Sequence, residues 1–218
     1  AEDLNADGYV DVFIASSMNY PFRYGLNSLL LNNRGAGFVG VECIMGVEPR
    51  PDGRIFVPWF ELDCSGADRD VLDCAGLFGR VEIKSPLGSR SSVIFDIDGD
   101  GDLDIVTNDF GSEPMVLLSD LAAKRNIHYL KVSLVGTQSC RDGLGATVTV
   151  HARSRTYTKV HDGLSGYMSH SLCPLYFGLG DAEKVDKIGV TWPSGQVQTM
   201  TGPIEANRLL EITEPVEG

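Results

Sequence analysis

Apolar residues in this chain come in short bursts broken by Gly, Asn, Asp and Pro, and the spacing within each burst is that of strands. Tyr9-Val10-Asp11-Val12-Phe13-Ile14-Ala15 is the first such run. Asn27-Ser28-Leu29-Leu30-Leu31-Asn32-Asn33 follows, and Arg34-Gly35-Ala36-Gly37 turns it into Phe38-Val39, a strand–turn–strand signature. Residues 43–90 read as a long irregular insertion containing Pro49, Pro51, Pro58 and Pro86, with short strands at 55–60 and 80–84. Ser92-Val93-Ile94-Phe95 and Leu103-Asp104-Ile105-Val106-Thr107 then make a second hairpin-like unit. Residues 115–127 predict a strand end plus one helical turn, and mark a boundary. Alternating runs at 128–134, 146–152, 156–160, 175–179, 187–192 and 209–213, separated by Gly/Ser/Asp turns, predict a compact β-sandwich. The pattern is all-β, with one unit over 1–120 and another over 128–215.

Composition supports a folded protein: 218 residues, 43% hydrophobic and 22% charged, with 25 Gly and 10 Pro for many turns. The formal net charge is −12, from 30 acidic against 18 basic residues. Nucleic acid and anionic membrane are thereby disfavoured as partners, because both are polyanions, and cations become the natural counterpart. No apolar run approaches the roughly 18 residues needed to span a bilayer. The chain opens on Ala1-Glu2-Asp3, with no signal peptide, and Asp3 already belongs to a motif, so the N-terminus reads as a cut edge.

The acids are concentrated in two loops. Asp96, Asp98, Asp100, Asp102 and Asp104 occupy alternate positions of one; Asp3, Asn5, Asp7, Tyr9 and Asp11 occupy the same positions of the other, 93 residues upstream. Alternate oxygen-bearing side chains in a tight loop converge on one centre, and Ca²⁺ wants six to eight oxygens at about 2.3–2.6 Å. Gly8 and Gly101 permit the sharp reversal at position 6, and position 7 offers its backbone carbonyl, so Tyr9 and Asp102 are expected to be interchangeable. An EF-hand is ruled out, because Ile14 and Thr107 stand where it needs a bidentate acid, and strand-like residues flank both loops. A solvated acidic turn is the bland alternative, and the repetition argues against it. Two Ca²⁺ sites are expected; Mg²⁺ fits less well because it keeps its water.

Five cysteines are present. Cys64 and Cys74 bracket a loop rich in turn-formers that apolar burial alone would hardly fold, and a disulfide there predicts an extracellular setting. Cys140 and Cys173 are the next pair, leaving Cys43 unpaired; buried thiols of an intracellular protein are the alternative. No Gly-x-Ser-x-Gly elbow, His-Glu-x-x-His or phosphate-binding Gly loop occurs. His161-Asp162 with His170, near Ser165 and Ser169, has no diagnostic spacing and reads as core-edge. Trp192-Pro193-Ser194-Gly195 reads as a turn after a buried strand, with Gly195 at positive φ.

The loops, with Asn32-Asn33 and Gly35-Ala36-Gly37-Phe38, resemble the FG-GAP/VCBS repeat of integrin-α-type β-propellers. Leu130-Lys131-Val132, Arg141-Asp142-Gly143-Leu144-Gly145-Ala146, Gly166-Tyr167-Met168-Ser169, Tyr176-Phe177-Gly178-Leu179-Gly180 and Trp192-Pro193-Ser194-Gly195 resemble, in that order, the ASPIC/UnbV domain. The combination is similar to the cartilage acidic protein-like family and its bacterial relatives, and Phe60-Glu61-Leu62-Asp63-Cys64-Ser65-Gly66-Ala67-Asp68 adds to the likeness. The resemblance implies a partial calcium-binding β-propeller with the insertion at 43–90, followed by the ASPIC/UnbV-like β domain at 128–215. Two departures from the family pattern, Cys140 after Ser139 and Cys173 at an apolar position, suggest a bridge particular to this chain. The function expected is an extracellular calcium-binding structural or adhesive module, at a cell surface or in a periplasm, with a protein or glycan partner or a second copy; exposed strand edges make self-assembly an expectation. An enzyme is not expected. The alternative is a calcium-dependent propeller hydrolase of the lactonase or esterase type.

Overall fold

Each acidic loop leads into a small antiparallel sheet. The computed structural model describes residues 1–16, 25–50, 53–110, 112–167 and 169–216. β1 (Val12–Ile14), β2 (Ser28–Asn32) and β3 (Phe38–Gly40) form the first sheet in sequence order. β4 (Phe56–Asp63) and β5 (Arg80–Pro86) pair as a hairpin, and β6 (Gly88–Phe95), β7 (Asp104–Phe110) and β8 (Val116–Leu117) form the second sheet. These three-stranded sheets carry the predicted repeat, but no closed propeller occurs among the described residues. The expected insertion is also more regular than its prolines suggest. Only Leu87 separates β5 from β6, and a shift of register at Pro58 lets β4 keep pairing past a residue that cannot donate. Pro51 lies outside the described residues.

A single helical turn, α1 (Leu121–Lys124), precedes the C-terminal unit. That unit contains β9 (Tyr129–Val135), β10 (Thr147–Ala152), β11 (Arg155–Val160), β12 (Leu164–Gly166), β13 (Ser169–His170), β14 (Leu175–Gly178), β15 (Lys184–Thr191), β16 (Val197–Glu205) and β17 (Arg208–Thr213). One sheet runs β11-β10-β15-β16 and another β14-β9-β17, in which β17 lies parallel to β9; β12 and β13 make a separate hairpin. Strict alternation buries Leu130, Val132 and Leu134 of β9 and Val148, Val150 and Ala152 of β10, and both sheets share one core with Ile188, Trp192 and Phe177. Each fully buried aliphatic side chain there stabilises by about 1.5–3 kcal/mol.

The sequence pattern did not predict β16 or the β12–β13 hairpin. β16 has no fully buried position, because it is an edge strand next to β15, and Gly202-Pro203 interrupts its pattern. Gly202 is required by the close approach: a Cβ there would collide with the Val185 carbonyl. The turn at Trp192–Gly195 matches its prediction, with Gly195 at φ +94° and its N–H donating to Trp192 O at 2.9 Å.

The upstream part is held by two much smaller apolar clusters. Phe13, Leu29, Val47 and Ile105 tie the first sheet to the second, while Leu62, Cys64 and Cys74 close the β4–β5 hairpin. The predicted Cys64–Cys74 disulfide is formed. The expected Cys140–Cys173 bridge is not, and both thiols are free, as is Cys43. Cys140 is exposed in a turn that closes on itself, with Gly143 N donating to Cys140 O and Gly136 N to Arg141 O, whereas Cys173 sits half-buried at a cavity edge.

Candidate metal centre

The two acidic loops fold alike, differing in one donor to the first acid, which is the fifth residue's N–H in the first loop and the fourth residue's in the second. Asp3 accepts from Asp7 N (3.1 Å) and Gly8 N (2.8 Å); Asp96 accepts from Gly99 N (2.6 Å) and Gly101 N (2.9 Å). Asn5 and Asp7 accept from Asp7 N and Tyr9 N, as Asp98 and Asp100 accept from Asp100 N and Asp102 N, successive Asx turns that wind the chain tightly. The last acid of each loop ties it shut and to its sheet. Asp11 accepts from Leu4 N and from Asn32 N at the end of β2; Asp104 accepts from Ile97 N and from Ser119 N beyond β8. The repeat legible in the sequence is thus a repeat of hydrogen bonding.

These residues fit a hard dication. Carboxylate oxygens of Asp96, Asp98 and Asp104 lie within 4.8 Å of one another, and no other such acidic triple occurs among the described residues. The first loop has the amide Asn5 at its third position and so gathers fewer carboxylates. Burial raises the Asp3 pKa to about 7, with Asp7 and Asp11 adding repulsion; it raises Asp11 too. Asp100 is raised by desolvation, then by Asp102, Asp98 and Asp96. Charges so crowded repel one another unless a cation joins them. Asp3, Asn5, Asp7 and Asp11 with the Tyr9 carbonyl, and Asp96, Asp98, Asp100 and Asp104 with the Asp102 carbonyl, are the groups that would hold calcium; the ion would supply charge neutralisation and cross-linking of the loop.

Position 7 is less indifferent than expected. The Asp102 carboxylate is buried, with one oxygen accepting from Ala122 N in α1 and the other, Oδ1, without a hydrogen-bond partner. Tyr9 instead lies under the Arg155 guanidinium, 4.3 Å from its ring centroid.

Both loops dock on the C-terminal unit. Gly178 lies so close to the Asp3 carboxylate that any Cβ would overlap it, and Gly180 N donates to Ala6 O at 3.1 Å. Arg155 donates to the carbonyls of Asp7 (2.8 Å) and Gly8 (3.3 Å), and Arg125 to that of Asn5. On the second loop, the Tyr176 hydroxyl donates to Gly101 O at 3.1 Å, Tyr129 packs against Gly101 and stacks on Tyr176, and the Lys131 ammonium pairs with Asp96. Lys159 pairs with Glu2, next to the first loop. The Tyr176-Phe177-Gly178-Leu179-Gly180 stretch is therefore a seat for both loops. Sequence reading quoted Lys131 and Tyr176 without assigning them a role, and passed over Arg155. Their partners lie 35 to 148 residues away, and no local pattern encodes such contacts.

Among the described residues no metal-ligating group includes a histidine. His161 is buried, its pKa lowered by burial, and its backbone pairs with Gly145 and Ala146; His151 bonds Thr156, and His170 sits in β13. A second polar hub was not anticipated: buried Glu214 accepts from Thr137 N, Gln138 N, Ser139 N, Ser139 Oγ and Ser194 Oγ. Burial alone would raise its pKa, but the bonds from Ser194, Ser139 and Gln138 outweigh that and lower it to about 2.

Cartilage acidic protein 1 of Xenopus tropicalis is 30% identical over 128 residues, 57% of this chain. The proteins of that name from Homo sapiens and Mus musculus are 32% and 31% identical over 127 residues. The aligned part is 19% of each relative's length, so this chain spans only a small share of the curated relatives it matches. Among the described residues no helix is long and apolar enough to cross a membrane. Over residues 136–218, the greater part of the C-terminal unit, the chain matches the family described as ASPIC and UnbV.

Proposed function

We propose that this chain is an extracellular calcium-binding structural module. Its two acidic loops, FG-GAP-like in character, hold Ca²⁺ and thereby fix the ASPIC/UnbV-like unit against the upstream sheets. The observation that carries this reading is the seating of both loops on one face of the C-terminal unit. Backbone N–H donors satisfy part of Asp3, Asp11 and Asp104, but burying their negative charge still costs free energy that a bound cation would offset. Lys131 supplies one positive charge to a loop that carries five acids, which leaves room for a dication. The Cys64–Cys74 disulfide suits an oxidising, extracellular compartment.

An adhesive role rests on the upstream part. Trp59, Phe60, Phe78 and Ile44 are exposed there, and apolar surface of that kind serves contact with a protein partner or with another copy. Calorimetric titration of the metal-stripped protein should register calcium binding at two sites, and excess chelator should lower the melting temperature of the loaded form by many degrees. A titration without heat, together with an unchanged melt in chelator, would defeat this reading.

A further inference from the structure

The chain carries a net charge of −12, yet one cleft is built from cations. It measures about 620 Å³ beside the first acidic loop, and four arginines from three separate segments line it. Arg34 comes from the β2–β3 turn, Arg125 from the end of α1, Arg153 from the β10–β11 turn and Arg155 from β11 itself. Against them the lining offers two carboxylates, Asp7 and Asp181. The cleft therefore has an excess of positive charge on a molecule whose overall field has the opposite sign.

Two of the arginines have structural duties and two do not. Arg155 and Arg125 donate to the loop carbonyls of Asp7, Gly8 and Asn5, neutral oxygens that leave the guanidinium charge uncompensated. Arg34 and Arg153 are exposed, and their side chains are held by no ion pair or hydrogen bond among the described residues. Both take left-handed backbone, at φ 51° and 52°, and they are two of the four non-glycine residues that do so among the described residues. Glycine or asparagine would fit these turns with less strain, and an arginine there costs about 1 kcal/mol or more. The Tyr9 and Tyr157 rings flank Arg155, and the side chain of Asn126 lies at the cleft wall.

We infer that this cleft binds a short acidic saccharide, a sulfated or uronate-bearing di- or trisaccharide. Guanidinium forks match the oxygen pairs of sulfate and carboxylate, and pair with them bidentately. Tyrosine edges and an amide suit the hydroxyl-rich remainder of a sugar, and the volume falls in the usual range for ligand sites, about 300–1,000 Å³. A long uniform polyanion such as nucleic acid is disfavoured, because beyond the cleft it would meet the protein's negative field. The inference does not depend on the loops holding calcium.

The test is calorimetric titration at fixed calcium with four probes: a sulfated uronate disaccharide, the same disaccharide without sulfate, a neutral disaccharide and inorganic sulfate. At least one acidic saccharide should bind, with affinity falling several-fold between about 50 and 200 mM salt. The sulfated and unsulfated arms separate sulfate from carboxylate as the recognised group. The double variant Arg34→Gln, Arg153→Gln should weaken binding at least tenfold while leaving the melting temperature unchanged; Arg153→Glu alone serves as a second variant and should weaken it further than Arg153→Lys. The inference fails if neither acidic saccharide binds, if the neutral sugar or bare sulfate binds as well as they do, or if the variants bind like the parent.

Discussion

Replacing Gly101 by Ala probes the seating of the second acidic loop, because two separable costs meet at that residue. The first is backbone strain: Gly101 lies at φ +102°, where an L side chain costs about 1–2 kcal/mol. The second is overpacking. A Cβ there would run into the Tyr129 ring, which cannot retreat freely because it stacks on Tyr176 at 5.5 Å; forcing atoms into such a contact costs about 1–3 kcal/mol. Gly99 supplies the control, two positions earlier in the same loop. It sits at φ +83° with nothing within 4 Å of a new Cβ, so Gly99→Ala carries the strain alone.

Urea unfolding should therefore give about 1–2 kcal/mol of destabilisation for Gly99→Ala and about 2–5 kcal/mol for Gly101→Ala. Introducing Tyr129→Ala should remove most of the excess, so the Gly101–Tyr129 double-mutant cycle should show coupling of about 1–3 kcal/mol. Gly8→Ala should fall between the two, because its Cβ would meet Arg155 Nη1 and Tyr157 Cε1 at 2.8 Å and the guanidinium end can swing aside. Equal costs for Gly99→Ala and Gly101→Ala, or a cycle without coupling, would refute the reasoning that the ring clamps the loop.

Other perturbations have equally definite outcomes. Tyr176→Phe removes the donor to Gly101 O in a buried site and should cost about 1–3 kcal/mol in the same urea assay. Glu214 has a folded pKa depressed to about 2, so its stabilisation is complete above the unfolded carboxyl value near 4.5 and is lost as pH falls toward 2. Glu214→Gln should flatten stability against pH in that window, and an unchanged acid limb would contradict the hub. Asp3 is raised to about 7, so in the metal-free protein its contribution is full below the unfolded pKa near 4 and declines as pH rises toward 7. Saturating calcium should abolish that decline in a melting-temperature scan. Reducing Cys64–Cys74, whose closed loop of about ten residues is worth about 2–3 kcal/mol on the chain-entropy model, should expose the β4–β5 hairpin to protease before the C-terminal unit is cut.

What could be read from the sequence was whatever is local. The acidic loops are legible because the hydrogen bonds that wind and close them reach two to seven residues, so spacing alone encodes them. Strands β9, β10 and the C-terminal part of β15 are legible because each buries alternate residues in one shared core. β16 was not, since an edge strand with a Gly-Pro step has no buried register to announce it. The prolines of the insertion misled for a similar reason: Pro58 suggests a break, and only the register shift opposite β5 shows how the ladder passes it. Cys140 and Cys173 lacked any local feature that would place their thiols, and pairing them rested on counting.

The distribution of charge makes the junction the part of the molecule most in need of explanation. A chain with 30 acids has 18 basic residues to place, and a random scatter would put most of them on open surface. Instead Lys131, Arg155, Arg125 and Lys159 reach back from beyond the boundary to the first acidic loop, the second, or the residue beside one of them. Lys131 and Lys159 are largely buried there, and desolvating an ammonium is costly unless its partner is fixed in place. The upstream sheets, with their small apolar clusters, cannot hold the loops rigid through packing alone. The Lys131–Asp96 ion pair at the second loop and the Arg155 and Arg125 bonds to the carbonyls of the first are then what join the two units, and surface variants elsewhere should leave that joint untouched.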